Sequence, residues 1–308
     1  MSGREAARAD RTFQLWPVAA PVSKCVSIEA DDTERVGPLR NLILWSLCIV
    51  GGLSAQDARA IIEKTVNHDR RNYRDLQSWT YKVSDRIEKS DSSGRTKAIE
   101  TTLDEVLYLG GKPYIHPLRK NGKPLPAKDT AKEQAKLDKA TAEASRLSED
   151  ERRKREQQTE KQREKDREML QYLPDAYNFT LLGEEIINSR AAWRIGVEPA
   201  PHYNGKYGFL LKNLEGTLWI DKDENQFVKG DIHAIKGFSI GLFLASITEG
   251  SRLYFENVRL SDGLWVSHRA GFEGSARVLI RHIRQNEELQ FSEFRKFQTD
   301  SRIVPAEP

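Results

Sequence analysis

Cysteine is nearly absent from this sequence. The 308 residues include two cysteines, Cys25 and Cys48, and both lie in the first 48 positions. A mature chain that has lost this segment contains no thiol, so it can form neither a disulfide nor a thiolate metal site, and it has no cysteine nucleophile. The stability of such a chain must come from a packed core.

The common catalytic and nucleotide-binding motifs are also missing. The sequence contains no G-x-S-x-G, no H-E-x-x-H, no Walker loop and no G-x-G-x-x-G, and none of its six histidines stands at metal-ligand spacing from another. Asp221–Asn225 has the opening of a calcium loop, but Gln226 and Ile232 occupy the glycine and glutamate positions, so we interpret the stretch as a polar hairpin turn. We therefore expect a non-enzymatic protein with no cofactor and no metal; a hydrolase with dispersed catalytic residues stays open as an alternative.

No large excess of charge of one sign is present. Lysine and arginine number 49, aspartate and glutamate 46, and the net charge is +3. Basic residues are matched by acidic ones along almost the whole chain, whereas nucleic-acid-binding domains carry a basic face or stripe. The composition predicts no nucleic-acid partner.

The longest uncharged stretch in the N-terminal region, Asn41–Gln56, is too short to cross a bilayer comfortably, which takes roughly 20 apolar residues. Arginines precede its apolar run and the small residues Ser54 and Ala55 follow, which is the order of a secretory signal. The pattern predicts a signal peptide at 36–56 and a periplasmic location. An uncleaved inner-membrane anchor and a buried helix are the alternatives.

Residues 1–35 show no clear periodicity, and we interpret them as an unstructured N-terminal extension. A translation start at Val36 would remove the extension together with Cys25.

Hydrophobic periodicity predicts one helix followed by many strands. Apolar residues recur at helical spacing from Asp57 to Leu76, and period-two alternation begins at Trp79. About ten strands follow, joined mainly by short turns, and the last two are predicted at Ala276–Arg284 and Leu289–Phe297. The predicted fold class is α+β, mainly β: a curved antiparallel meander, or incomplete β-barrel, with an N-terminal helix and an inserted charged helical segment.

The charged insertion is predicted at 127–171. Between Ala127 and Glu168 the chain has 13 Lys/Arg and 12 Asp/Glu, and it has no glycine, proline or aromatic residue. Opposite charges four residues apart favour a helix, but the few apolar side chains cannot build a substantial core. The segment is predicted to be a solvated helix or helical hairpin; a coiled-coil or partner-binding arm is the alternative.

The segment Gly237–Ile247 is apolar but does not alternate like a strand, and it connects two predicted strands, where a polar loop is usual. It is expected either to pack into the sheet as a plug or to line the mouth of an apolar cavity.

Two stretches carry a family resemblance. GTLWIDKDENQFVKGDIHA (Gly216–Ala234) is similar to a LolA-like strand ending in Trp-Ile-Asp, a polar turn and a return strand, and FSEFRKFQTDSRIV (Phe291–Val304) is similar to the final strands of uncharacterised bacterial members. The chain thus resembles the LolA/LolB superfamily of outer-membrane lipoprotein-sorting proteins, which includes the RseB/MucB regulators. The resemblance implies a single half-barrel domain over 57–308, interrupted by the charged insertion.

The same resemblance implies a function. It predicts a periplasmic carrier that holds lipid or lipoprotein acyl chains in an apolar cavity without making or breaking bonds. The alternative is an envelope-sensing interaction module of the RseB/MucB type, with an envelope protein as partner through 127–168. The candidate cavity residues are apolar positions of the predicted strands and of the segment 237–247, namely Leu103, Leu107, Leu109, Trp193, Trp219, Phe238, Ile240, Leu242, Phe243 and Leu244.

Overall fold

A long helix opens the described part of the protein. The computed structural model describes residues 51–76, 79–91, 93–240, 245–278 and 281–296, so the predicted extension and most of the predicted signal peptide lie outside it. Helix α1 spans Gly51–Asp75, and its buried side chains Ala58, Ile62 and Val66 recur every four residues along one face. Among the described helices, none combines the length and the apolar character needed to cross a bilayer.

Thirteen strands, two helices of 19 residues, two helices of four residues and one 3₁₀ turn follow in the described chain. The two longer helices form the charged insertion. In chain order the elements are β1 (Trp79–Ser90), β2 (Thr96–Leu109), β3 (Lys112–Lys120), β4 (Lys123–Pro124), α2 (Ala127–Ser145), α3 (Glu149–Arg167), a 3₁₀ turn (Glu168–Tyr172), α4 (Leu173–Ala176), β5 (Tyr177–Ile187), β6 (Arg190–Pro199), α5 (Gly208–Leu211), β7 (Leu214–Asp221), β8 (Phe227–Ala234), β9 (Phe238–Ile240), β10 (Ala245–Ile247), β11 (Arg252–Arg259), β12 (Trp265–Val278) and β13 (Arg281–Lys296).

The strands form one antiparallel sheet. Its main path runs β4-β3-β2-β1-β13-β12-β11-β8-β7-β6-β5, and the β9–β10 pair joins the side of β12. The end strands β4 and β5 do not pair with each other, so the sheet is open. This confirms the predicted α+β, mainly β class and the incomplete closure. Because β13 lies between β1 and β12, the last described strand ties together the two halves of the sheet.

The final hairpin differs from the prediction. The sequence-based boundaries place a turn at 285–288, but β13 runs through these residues without a break. Glu287 pairs with Phe272 on one side and Ile87 on the other. Burial raises the pKa of its carboxyl group, and Gln285 Nε2 donates a hydrogen bond to it at 2.9 Å. The four polar residues 285–288 were mistaken for a turn, although pairing with β1 and β12 keeps them inside a strand.

The main core lies between one face of the sheet and the helices. Helix α1 and the segment after α3 cover strands β5–β8, β11 and β12. The other half of the sheet has a smaller cluster on β1, β2 and β13, formed by Tyr81, Val106 and Phe291. Ala270 packs against both clusters, so both lie on the same face of the sheet. The apolar interior is therefore concentrated under α1.

The charged insertion is a helical hairpin attached to the sheet. Ser148 caps α3 through a capping box with Glu151. The hairpin holds the β2–β3 turn: Thr159 Oγ1 donates to the Gly111 carbonyl oxygen at 2.8 Å, and the buried Arg163 donates to Tyr108 Oη at 2.8 Å. The hairpin is solvated on its outer faces, but the sheet determines its position.

Replacing Gly111 by alanine is expected to loosen this attachment. A Cβ at Gly111, where φ is +81°, would lie 2.7 Å from Glu156 Cγ. At Gly122, φ is +71° and no atom lies within 4 Å of the added Cβ. Gly122→Ala therefore measures the effect of backbone strain alone. Gly111→Ala should lower the free energy of unfolding by about 1–3 kcal/mol more than Gly122→Ala does. Urea unfolding measures the difference, and trypsin cleavage at Arg152–Arg155 should accelerate only in Gly111→Ala. Equal effects of the two substitutions would contradict a tight attachment.

Candidate functional site

An apolar pocket lies between α1, the segment after α3 and the covered face of the sheet. Its volume is about 60 Å³. Strands β5–β8, β11 and β12 supply most of the wall, and α1 and the 3₁₀ turn close it. The apolar lining residues are Leu76, Leu170, Leu173, Tyr177, Phe179, Val197, Leu218, Phe227, Ile232, Phe255, Trp265 and Val266, and the polar ones are Asp69, Asn72, Arg167, Asn257 and Ser267.

A nearly buried ion pair forms part of the pocket wall. Asp69 of α1 accepts hydrogen bonds from Nε and Nη2 of Arg167, the last residue of α3, with the Nε–Oδ2 distance at 2.9 Å. Both side chains are little exposed, at 11% and 12%. A buried pair is costly to break by removing one partner, because the other charge is left desolvated. The pair thus joins the charged hairpin directly to the helix that covers the pocket.

The other polar groups of the pocket also bond within the protein. Asn72 donates to the Trp265 carbonyl oxygen at 2.6 Å and accepts from the Trp265 amide at 2.8 Å. Asn257 Nδ2 donates to the Phe227 carbonyl oxygen at 2.8 Å. Tyr177 Oη donates to the Leu211 carbonyl oxygen, and burial raises the pKa of this phenol. The pocket therefore offers a ligand mainly apolar surface.

The size of the pocket limits what it can hold as it stands. Sites that enclose small molecules usually measure about 300–1,000 Å³, so a cavity of 60 Å³ is mostly filled by its own side chains. A long apolar ligand can enter only if side chains rotate or α1 moves away from the sheet. Movement of α1 away from the sheet must break the double hydrogen bond of Asn72 with Trp265 and the hydrogen bond between His68 and the Glu224 carbonyl oxygen. Movement of α1 away from α3 must break the Asp69–Arg167 pair.

The β7–β8 turn beside the pocket is a polar network. Asp221 is fully buried and accepts from Arg190 Nε at 2.6 Å and from the amide of Glu224 at 2.8 Å. Burial by itself raises the pKa of Asp221, but the hydrogen bonds from Arg190 and main-chain amides outweigh it and hold the pKa below its ordinary value. The sequence interpretation of Asp221–Asn225 as a polar hairpin turn agrees with this arrangement.

A wider depression of about 400 Å³ adjoins the turn and shares Asn72 and Trp265 with the apolar pocket. Glu224 in its wall accepts from Trp265 Nε1 at 2.7 Å and from Arg259 Nε at 2.6 Å. These bonds hold the two turns together. Within the described residues, no three His, Cys, Asp or Glu side chains come close enough to hold a metal ion.

The predicted cavity residues are dispersed in the structure. Phe238 is buried in the main core, and Trp193 packs against that core. Trp219 belongs to a separate cluster with Ala192, Val228 and Trp265, where it donates to Glu185 at 2.7 Å and lies under Lys229 Nζ at 4.7 Å.

Leu103, Leu107 and Leu109 are half-buried in β2. They alternate with Val106, whose side chain lies on the covered face, so they occupy the opposite face. Ile240 ends β9, while Leu242, Phe243 and Leu244 lie outside the described residues. None of the predicted residues with a described side chain lines the apolar pocket.

Several residues of the pocket were not identified from the sequence. Leu170 was assigned to the end of the charged insertion and Leu173 to no element, although both form an apolar cluster with Met169 directly after the charged run. That change of composition was the available signal. Asp69 and Arg167 had no such signal, because they are 98 residues apart in the chain.

Comparison with known proteins gives structural likeness only. No family model matches the sequence, and no curated protein matches it. A DUF1329 family protein from Desulfovibrio piger has 12% identity and a TM-score of 0.31, over 80% of this chain and 95% of that one. A LolA superfamily protein from Nitrosomonas europaea has 12% identity and a TM-score of 0.30, over 78% of this chain and 93% of that one.

The Pseudomonas aeruginosa MucA/MucB complex is also similar, with 10% identity, a TM-score of 0.22, and coverage of 79% of this chain and 100% of that one. Among these similar structures are members of the superfamily that the sequence resembles. At such TM-scores the superpositions transfer neither residues nor functions to this chain, so the function has to be argued from its own geometry.

Proposed function

We propose that this protein is a non-enzymatic binding protein of the periplasm that takes up a lipid or lipoprotein acyl chain under helix α1. The observation that carries the proposal is the composition of the pocket wall: twelve of its seventeen lining residues are apolar. Most of its polar side chains already have partners in the protein. Binding then depends on burial of apolar surface, which contributes about 0.8 kcal/mol per methylene group.

The filled state of the pocket is compatible with a carrier. A carrier must release its ligand, and side chains that occupy the empty site offset part of the burial energy. Entry of an acyl chain by movement of α1 away from the sheet and from α3 breaks the contacts of Asp69 and Asn72. When the acyl chain is released, the contacts of Asp69 and Asn72 form again.

The small volume also favours a second candidate function, an envelope-sensing interaction module. A pocket of 60 Å³ that never opens would leave no room for a ligand. The charged hairpin 127–168, attached to α1 through Arg167, would then be the part that meets a partner protein.

Substitution of Val197 by phenylalanine should block acyl-chain binding. Val197 is buried and lines the pocket, so a phenyl ring fills the remaining space at an overpacking cost of about 1–3 kcal/mol. A ligand that must displace the ring should bind at least about tenfold more weakly. The measurement is titration with a fluorescent fatty acid, accompanied by native mass spectrometry of protein purified without detergent.

Glu198→Phe is the matched control, because Glu198 is the exposed neighbour of Val197 on β6. It should keep wild-type affinity. If the wild-type protein is purified free of lipid and does not bind the fluorescent fatty acid, the proposed carrier function is wrong and the interaction module is favoured. Equal loss in both variants would place the probe outside the pocket.

A further inference from the structure

A local excess of positive charge lies at one corner of the fold, where the β3–β4 hairpin leads into the start of α2. Residues 119–132 contain five basic residues and one acidic residue, Asp129, which gives this stretch a net charge of +4. The whole chain carries +3, so the remaining residues sum to −1. We call this corner the basic tip and define it by the five cations Arg119, Lys120, Lys123, Lys128 and Lys132.

The fold brings these cations together. Lys120 lies directly opposite Lys123 in the β3–β4 hairpin, and Arg119 is opposite Pro124. Helix α2 begins at Ala127, three residues after β4, and three residues of chain span at most about 11 Å. Lys128 and Lys132 are four residues apart and therefore lie on the same side of α2, about 6 Å apart along its axis.

The tip keeps most of its positive charge, because Asp129 is the one acidic residue in the stretch 119–132. All five cations are exposed, and within the described residues none of them takes part in a salt bridge, although other cations form many. Like charges directly opposite each other in a hairpin are destabilising, and Lys120 and Lys123 are such a pair. This uncompensated repulsion would be relieved by an anionic partner outside the chain.

We propose that the basic tip docks the protein onto an anionic membrane surface. Four of its five cations are lysines, and the stretch 119–132 has no aromatic residue. Protein–protein interfaces are depleted in lysine and enriched in aromatic side chains and arginine. Exposed lysines on flexible stems instead suit a plane of mobile lipid headgroups, to which each basic residue contributes an attraction of similar size. The proposal does not depend on what the pocket binds.

The test is flotation of the purified protein with vesicles. We expect binding to vesicles of mixed phosphatidylcholine and phosphatidylglycerol, loss of binding in high salt because the charges are screened, and no binding to phosphatidylcholine alone. Each cation should raise the affinity for anionic vesicles about fivefold. The triple variant Lys120→Gln/Lys123→Gln/Lys128→Gln should therefore bind these vesicles about a hundredfold more weakly. The matched control is Lys154→Gln/Lys161→Gln/Lys165→Gln, which removes the same charge from exposed positions of α3 and should keep binding.

Three outcomes would overturn the proposal. Absence of flotation with anionic vesicles is one, and equal loss in the two triple variants, which would indicate a bulk charge effect, is another. The third is tip-dependent binding to polyglutamate without binding to vesicles, which would assign an acidic protein as partner. Binding to phosphatidylcholine vesicles that survives the tip substitutions would come from the pocket, so failure of the two proposals can be told apart.

Discussion

Replacing Asp221 by alanine is expected to lower the free energy of unfolding by about 3–5 kcal/mol, because it leaves the guanidinium of Arg190 without its buried counterion. Asp221 has no exposed surface, and Arg190 donates to it through both Nε and Nη2, at 2.6 and 2.9 Å. The amides of Asp223 and Glu224 lose their acceptor as well. Urea unfolding at neutral pH measures the change.

The control is Asp223→Ala. The Asp223 side chain is 78% exposed, and its contact with Arg190 Nη2 is long, at 3.4 Å. Its removal should therefore change the free energy of unfolding by less than about 0.5 kcal/mol. Similar losses in the two variants would show that Asp221 acts through bulk charge and not through burial.

The contribution of Asp221 should depend on pH with a definite sign. The folded-state pKa lies below the ordinary value of 3.8, so the folded protein favours the ionised carboxylate. This stabilisation is fully present above the ordinary pKa and is lost as pH falls through the lower folded-state pKa. The stability difference between wild type and Asp221→Ala should therefore stay constant from neutral to mildly acidic pH and shrink below about pH 4.

Replacing Phe179 by alanine is the second large expected effect. Phe179 is buried in β5, packs near Tyr177 with ring centroids 6.4 Å apart and lines the pocket. Loss of a buried phenylalanine costs about 3–5 kcal/mol, part of which comes from the cavity left behind. The same cavity enlarges the space for an apolar chain.

Added ligand should therefore reverse part of the loss. A ligand that binds only the folded state raises stability in proportion to the logarithm of its concentration over Kd. Hexadecanoic acid should raise the melting temperature of Phe179→Ala more than that of the wild type. Phe209→Ala is the matched control, since Phe209 is 51% exposed, and it should change stability little. Destabilised Phe179→Ala protein that does not respond to fatty acid would count against an acyl site under α1.

The class of the fold could be predicted from local patterns. Alternation from Trp79 onward predicted the strands, and helical spacing predicted α1, because these periods follow from backbone geometry alone. The hairpin around Asp221–Asn225 was predicted because its polar residues are typical of a turn. The last hairpin was misplaced because the polar residues at 285–288 resemble a turn, and only pairing with β1 and β12 keeps them in a strand.

The site could not be predicted in the same way. Alternation shows which residues share a face, but it does not show which face α1 covers; Leu107 and Val106 are equally apolar, and only Val106 faces the core. The Asp69–Arg167 pair joins residues 98 positions apart, and no local pattern encodes such a contact. By itself the sequence determined an open antiparallel sheet with one charged helical insertion. The tertiary structure decided where the apolar pocket lies and that the insertion helps to close it, because both depend on contacts between distant parts of the chain.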